Sequence, residues 1–309
     1  MWDNQPNNTP DDGIVILSQT EPMMCGGTDA YQNTRAPKTI ESQDMVRFDV
    51  ACSLTTLAEP EGATGERIDY LAAFAVPVKL GTLVSLEIAG RGEAPAASWA
   101  LLKEPIFPAL TALVREHDLA KDNGFHSQTH GLPQNFGGHV NIRYASGETI
   151  SFSNNQTPIL SPNTVRAIAA VFRTAMSGER VELPDAGSIA AIRFAEERKD
   201  GGYTRTTLDI HPDGTGVNRK STRYENGAEY ESETPMDADT VAEIRHTVAS
   251  CGMLAWEGLS AEPDILGRDR SITLVLANGR EVTVPDLQTA LPRLGSGFFK
   301  VELNLTSSR

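Results

Sequence analysis

The chain has 309 residues, with 27 Lys+Arg against 41 Asp+Glu, and a formal net charge of −14. Apolar residues make up 39% of it, beside 26 Gly and 18 Pro, a globular balance that excludes a fibrous or low-complexity chain. So acidic a protein repels phosphate backbones and anionic bilayers, so neither nucleic acid nor membrane is expected as a partner.

Residues 1–12 are rich in Asn, Asp and Pro and hold too little apolar surface to offset the cost of ordering, so this tail is expected to be disordered. It has neither the basic nor the apolar region of a signal peptide. The most apolar stretch, Leu71–Val78, holds Pro77 and falls far short of the ~18 residues a spanning helix needs. A cytoplasmic location is the expectation. Cys25, Cys52 and Cys251 are odd in number and widely spaced, which excludes a disulfide framework and a four-thiolate zinc site.

Gly13–Ser18 reads as one short strand, a candidate addition to a sheet edge, and residues 19–40 return to loop composition. Val46, Phe48, Val50, Cys52 and Leu54 then alternate with polar or small residues, the period of a half-buried strand. Strand-like runs follow over Asp69–Val78 and Thr82–Ala89, then a helix near Pro108–Ala120, then a hairpin of His139–Tyr144 and Glu148–Phe152. Ser161-Pro162 reads as a helix start, and Val165, Ile168, Phe172 and Met176 form the apolar stripe behind it.

Further on, strands are predicted at Ser188–Glu196, Tyr203–Ile210, Thr215–Tyr224 and Ala228–Glu233. They are joined by Asp200-Gly201-Gly202, Pro212-Asp213-Gly214 and Asn226-Gly227. A helix capped by Thr234 or Asp237 follows, and a hairpin of Ser271–Ala277 and Arg280–Val284 comes after it.

Val140–Phe152 matches Ile272–Val284 in pattern, Val46-Arg-Phe48 matches Ile192-Arg-Phe194, and Phe125 falls opposite Trp256. Element order carries this match, which suggests an internal duplication. The expected fold is therefore α+β in two related halves, residues 41–180 and 181–309, after a largely irregular segment 1–40. Each half is an antiparallel β-meander followed by a helix and a β-hairpin, with the helices on one sheet face.

Chemistry-bearing residues are sparse. His117, His126, His130 and His139 cluster in one stretch, and His126-x-x-x-His130 would suit a metal if helical. Asn123-Gly124 before it and Gly131-Leu-Pro133 after it instead mark a loop, where that spacing fixes no geometry. Asp209-Ile-His211-Pro-Asp213-Gly214 outlines a calcium loop, but Lys220 stands where a bidentate Glu is needed. Gly295-Ser296-Gly297 lacks the nucleophile-elbow pattern, Cys25 has no activating neighbour in sequence, and no phosphate-binding Gly loop occurs.

No cofactor is expected, and the leading expectation is a non-catalytic module that binds another protein, its oligomeric state left open. The alternative is a metal-assisted hydrolase with its site at His117–His139, His126 and His130 as ligands. Arg223, Tyr224 and Tyr230, around the Asn226-Gly227 turn, are the candidate interaction surface. A two-residue turn there would pair Tyr224 with Glu229, Arg223 with Tyr230 and Lys220 with Glu233.

Overall fold

The computed structural model describes residues 13–18, 27–55, 66–132, 136–259, 268–286 and 295–306. The N-terminal tail and Cys25 lie outside these described residues. Four helices and two largely antiparallel sheets make up the described chain, an α+β fold. It divides into two compact units, one of Met1–Pro77 with Gly81–Arg180, the other of Val78–Leu80 with Val181–Arg309.

The first unit is built on a nine-stranded sheet. Its elements are β1 (Ile14–Ser18), β2 (Thr28–Asn33), β3 (Met45–Ser53), β4 (Tyr70–Val78), β5 (Gly81–Ala89) and β6 (Ala96–Leu102). Then come α1 (Phe107–Glu116), β7 (Phe125–Thr129), β8 (Gly138–Tyr144), β9 (Thr149–Asn154) and α2 (Pro162–Met176). The strand order is β1-β2-β7-β9-β8-β3-β4-β5-β6, with β7 and β9 the parallel pair.

The alternation read in β3 decides what is buried. Phe48, Val50 and Cys52 face a core shared with Val140 and Ile142 of β8, Ile150 and Phe152 of β9, and the apolar stripes of α1 and α2. Phe48 and Phe172 meet at 5.9 Å between ring centroids. Burying a side chain of this size stabilises the fold by about 1.5–3 kcal/mol. Burial also pushes the Cys52 thiol above its usual pKa, so it behaves as a small apolar group. Ser161 caps α2, its hydroxyl accepting from the Thr164 N–H at 3.1 Å. Gly138 is required where β8 passes β3, because a Cβ there would sit 2.1 Å from the Ala51 carbonyl oxygen.

The second unit holds β10 (Ile189–Arg198), β11 (Tyr203–Ile210), β12 (Gly216–Arg223), β13 (Glu229–Met236) and α3 (Ala238–Ser250). They are followed by β14 (Arg268–Leu276), β15 (Glu281–Pro285) and α4 (Gly295–Thr306). Its sheet runs β13-β12-β11-β10-β14-β15. Asp237 rather than Thr234 is the cap of α3, accepting from the Thr240 N–H at 2.7 Å. Ile192, Phe194, Leu208, Ile272 and Leu274 bury one sheet face, and Val241, Ile244, Val248, Phe298 and Val301 are the buried side of α3 and α4. The opposite face is polar, with Arg193–Glu281, Arg205–Glu197 and Arg223–Glu229 pairs across it.

Several expectations are corrected. Residues 19–40 are not all loop: β2 lies among them and joins the main sheet beside β1. β2 reads Thr-Asp-Ala-Tyr-Gln-Asn, without an apolar alternation, and holds its place by pairing on both sides. His126 stands in a strand, not a loop, since Asn123-Gly124 turns the chain into β7. Helix α4 has no counterpart in the sequence reading, because Gly295 and Gly297 weaken helix propensity in its first turn. Burial of Phe298, Val301 and Leu305 holds it, as do bonds from Asn218 Nδ2 to the Leu305 carbonyl and from Lys220 Nζ to the Thr306 carbonyl.

Candidate interaction surfaces

The histidines illustrate how a sheet gathers residues that sequence scatters. In strands, side chains two apart share a face. The registers place Tyr31, His126, Ser153, His139 and Ala51 in one row across β2, β7, β9, β8 and β3. This row lies on the face opposite Phe48, Val140 and Phe152. His126 stacks on Tyr31 at 4.9 Å and its Nδ1 lies 2.9 Å from the Ser153 hydroxyl. His130 sits 2.8 Å from Asp29, and His139 sits 3.2 Å from Asp49. His117 belongs elsewhere, ending α1 with its Nδ1 3.1 Å from the Thr164 hydroxyl.

Each histidine of the row therefore has its own neighbour. No group of three or more His, Cys, Asp or Glu able to hold a metal occurs among the described residues. His126 is half-buried, and loss of water holds its pKa below the usual imidazole value. The candidate calcium loop is a turn instead: Asp213 accepts from the backbone and hydroxyl of Thr215, and Asp209 pairs with Arg219.

One end of the row is apolar. Ile16 pairs with Tyr31 across β1 and β2, and Val15 pairs with Gln32 so as to face the other way. Ile14, Val15, Ile16 and Leu17 are 44, 43, 47 and 56% exposed, and Tyr31 beside them is 41% exposed. Scattered exposed apolar residues are ordinary, but four in succession on the end strand of a sheet are not. β13, the end strand of the other sheet, shows the usual protection, with Glu229, Glu231, Glu233 and Pro235 along it.

The hairpin of β12 and β13 is built differently from expectation. Arg223 pairs with Glu229, Thr222 with Tyr230 and Lys220 with Ser232, one residue away from the predicted register. The cause is the turn. A two-residue type I′ turn needs positive φ at both central residues, whereas here Gly227 has φ of 79° and Asn226 does not share it. The Tyr224 N–H donates to the Ala228 carbonyl and the Gly227 N–H to that of Tyr224, closing a three-residue loop. The shift brings Tyr224 and Tyr230 edge to face at 5.6 Å, while Arg223 goes to the opposite face beside Glu229.

No known protein family matches the chain, and no curated protein is similar to it. The sequence shows β1 as a short strand that could join a sheet edge, but not how far its apolar side chains are exposed. Its exposure depends on β2, whose composition hid it.

Proposed function

We propose that this protein is a non-catalytic binding module made of two copies of one α+β unit, and that it captures an extended apolar segment of another protein along β1. The observation that carries the reading is the run Ile14–Leu17, exposed on the end strand and free of charge in a chain of net charge −14. Val15 and Ile16 expose apolar groups on opposite faces of the sheet. A rigid globular partner covers one face, but an added strand sends alternate side chains to both. A cytoplasmic setting is part of this reading, and the free thiols of Cys52 and Cys251 are in keeping with it.

Duplication is supported by element order. The strand order β9-β8-β3-β4-β5-β6 recurs as β15-β14-β10-β11-β12-β13, and in each unit one helix precedes the first-named hairpin and another follows it. The hairpins of β5–β6 and β12–β13 also share register. Val84–Ala100, Leu86–Ser98 and Ile88–Ala96 correspond to Asn218–Thr234, Lys220–Ser232 and Thr222–Tyr230.

A second docking surface, the Tyr224–Tyr230 pair, is favoured by exposure of 48 and 64%. The two are separated by capturing partners on the intact protein, on Val15→Asp/Leu17→Asp and on Tyr224→Ser/Tyr230→Ser, each verified to melt like the parent. The β1 variant is expected to lose the bound protein and the tyrosine variant to keep it. The reverse result moves the site to the hairpin.

A further inference from the structure

A concave feature of the first unit lies between β5, β6 and the C-terminal end of α2. It is a cleft of about 810 Å³, within the roughly 300–1,000 Å³ typical of small-molecule sites. Leu86, Ile88 and Met176 supply apolar walls, and Arg67, Arg91, Arg173 and Arg180 stand around them with Glu66 and Glu93. With Asp69, which pairs with Arg67, four guanidinium groups meet three carboxylates here, a local excess of positive charge on a protein of net charge −14.

The four arginines are not equivalent. Arg173 holds Glu66 through both guanidinium nitrogens, one of them at 2.7 Å, and Arg67 holds Asp69 at 2.7 Å. Arg180 donates from Nε and Nη2 to the Met176 carbonyl at 3.2 and 2.8 Å, which closes the end of α2 without neutralising the charge. Arg91 has no hydrogen-bond or ion-pair partner among the described residues. Two cations without a carboxylate of their own thus border an apolar floor. The corresponding positions of the second unit carry Lys220 and Thr222 in place of Leu86 and Ile88, and Lys220 is spent on the end of α4. The apolar floor of the cleft is therefore not repeated at those positions.

We infer that this cleft binds a small amphipathic anion, its carboxylate or phosphate between Arg91 and Arg180 and its apolar body on Leu86, Ile88 and Met176. Guanidinium groups pair with either oxyanion through paired N–H donors, so carboxylate and phosphate share the recognition chemistry. The inference stands apart from partner capture at β1.

Titration calorimetry on the full chain tests it, with decanoate, decyl phosphate, decanol and inorganic phosphate as separate probes below their aggregation thresholds. One saturable site for decanoate or decyl phosphate is expected, and which binds tighter identifies the headgroup. Decanol and inorganic phosphate, each lacking half of the recognition, should bind at least tenfold more weakly. Arg91→Glu, at an exposed turn where folding is not at stake, should weaken binding at least tenfold, and Arg193→Glu on the other unit should leave it unchanged. Absence of binding by both amphiphiles, or equal affinity in the parent and Arg91→Glu, overturns the assignment.

Discussion

Asn123 ties three segments together through one amide. Its Nδ2 donates to the carbonyls of Pro37 and Thr149 at 2.9 and 2.8 Å, and its Oδ1 accepts from the Ser151 N–H at 2.7 Å. The residue is buried, so Asn123→Ala would leave those groups without partners and cost about 1–3 kcal/mol. Urea denaturation should show a lower midpoint at unchanged slope. His126 carries a pH signature. Burial lowers its folded pKa below the value of about 6.5 that it regains on unfolding. As pH falls through that window the unfolded chain takes up the proton first, so stability present above about pH 6.5 is lost below it. The stability of the parent relative to His126→Gln should therefore shrink between pH 7.5 and 5, and a constant difference in melts at the two pH values would remove His126 from that role. Neither residue's part was readable beforehand: Asn123 looked like a turn marker and His126 like a solvated loop side chain, because their partners lie on strands far away in sequence.

At the scale of elements, local patterns were reliable where burial enforced them. The alternation of β3 and the stripe of α2 both follow from a single buried face, which any register slip would turn to solvent. The β12–β13 hairpin has no such face to correct a misread turn, and the one-residue difference in register follows from the conformation of Asn226 alone. Gly227 is the residue that this turn depends on. An alanine there meets nothing within 4 Å, yet must adopt φ near 79°, so Gly227→Ala is expected to destabilise by about 1–2 kcal/mol from backbone strain alone. Chemical denaturation reads that loss directly, and a neutral outcome would mean the turn can relax to another form. β2 and α4 escaped notice for a shared reason: each is stabilised by long-range pairing or packing and carries weak local signals.

In the proposed duplication both units follow one order of strands and helices, and the first unit extends it with β1, β2 and β7. That extension carries the exposed apolar run at one end and the Tyr31 and His126 end of the histidine row, which continues onto β9, β8 and β3. In this account partner capture belongs to the added strands, while the shared elements supply the scaffold. The order of most elements was readable in the sequence because hairpin turns and helix caps are local, whereas β2, β6, β7 and α4 carry too little local signal. The exposure of Tyr224 and Tyr230 was also legible, but that of Ile14–Leu17 was not, since it is decided by which strand ends the sheet. The most direct measurement is site-specific photo-crosslinking in cells that make the protein, with the reactive group placed at Ile16 in one version and at Tyr230 in another. Ile16 is expected to crosslink a single protein through an extended apolar segment, and Val15→Asp/Leu17→Asp to abolish the product. Crosslinks from Tyr230 with none from Ile16, or an Ile16 product unaffected by the β1 variant, would contradict it.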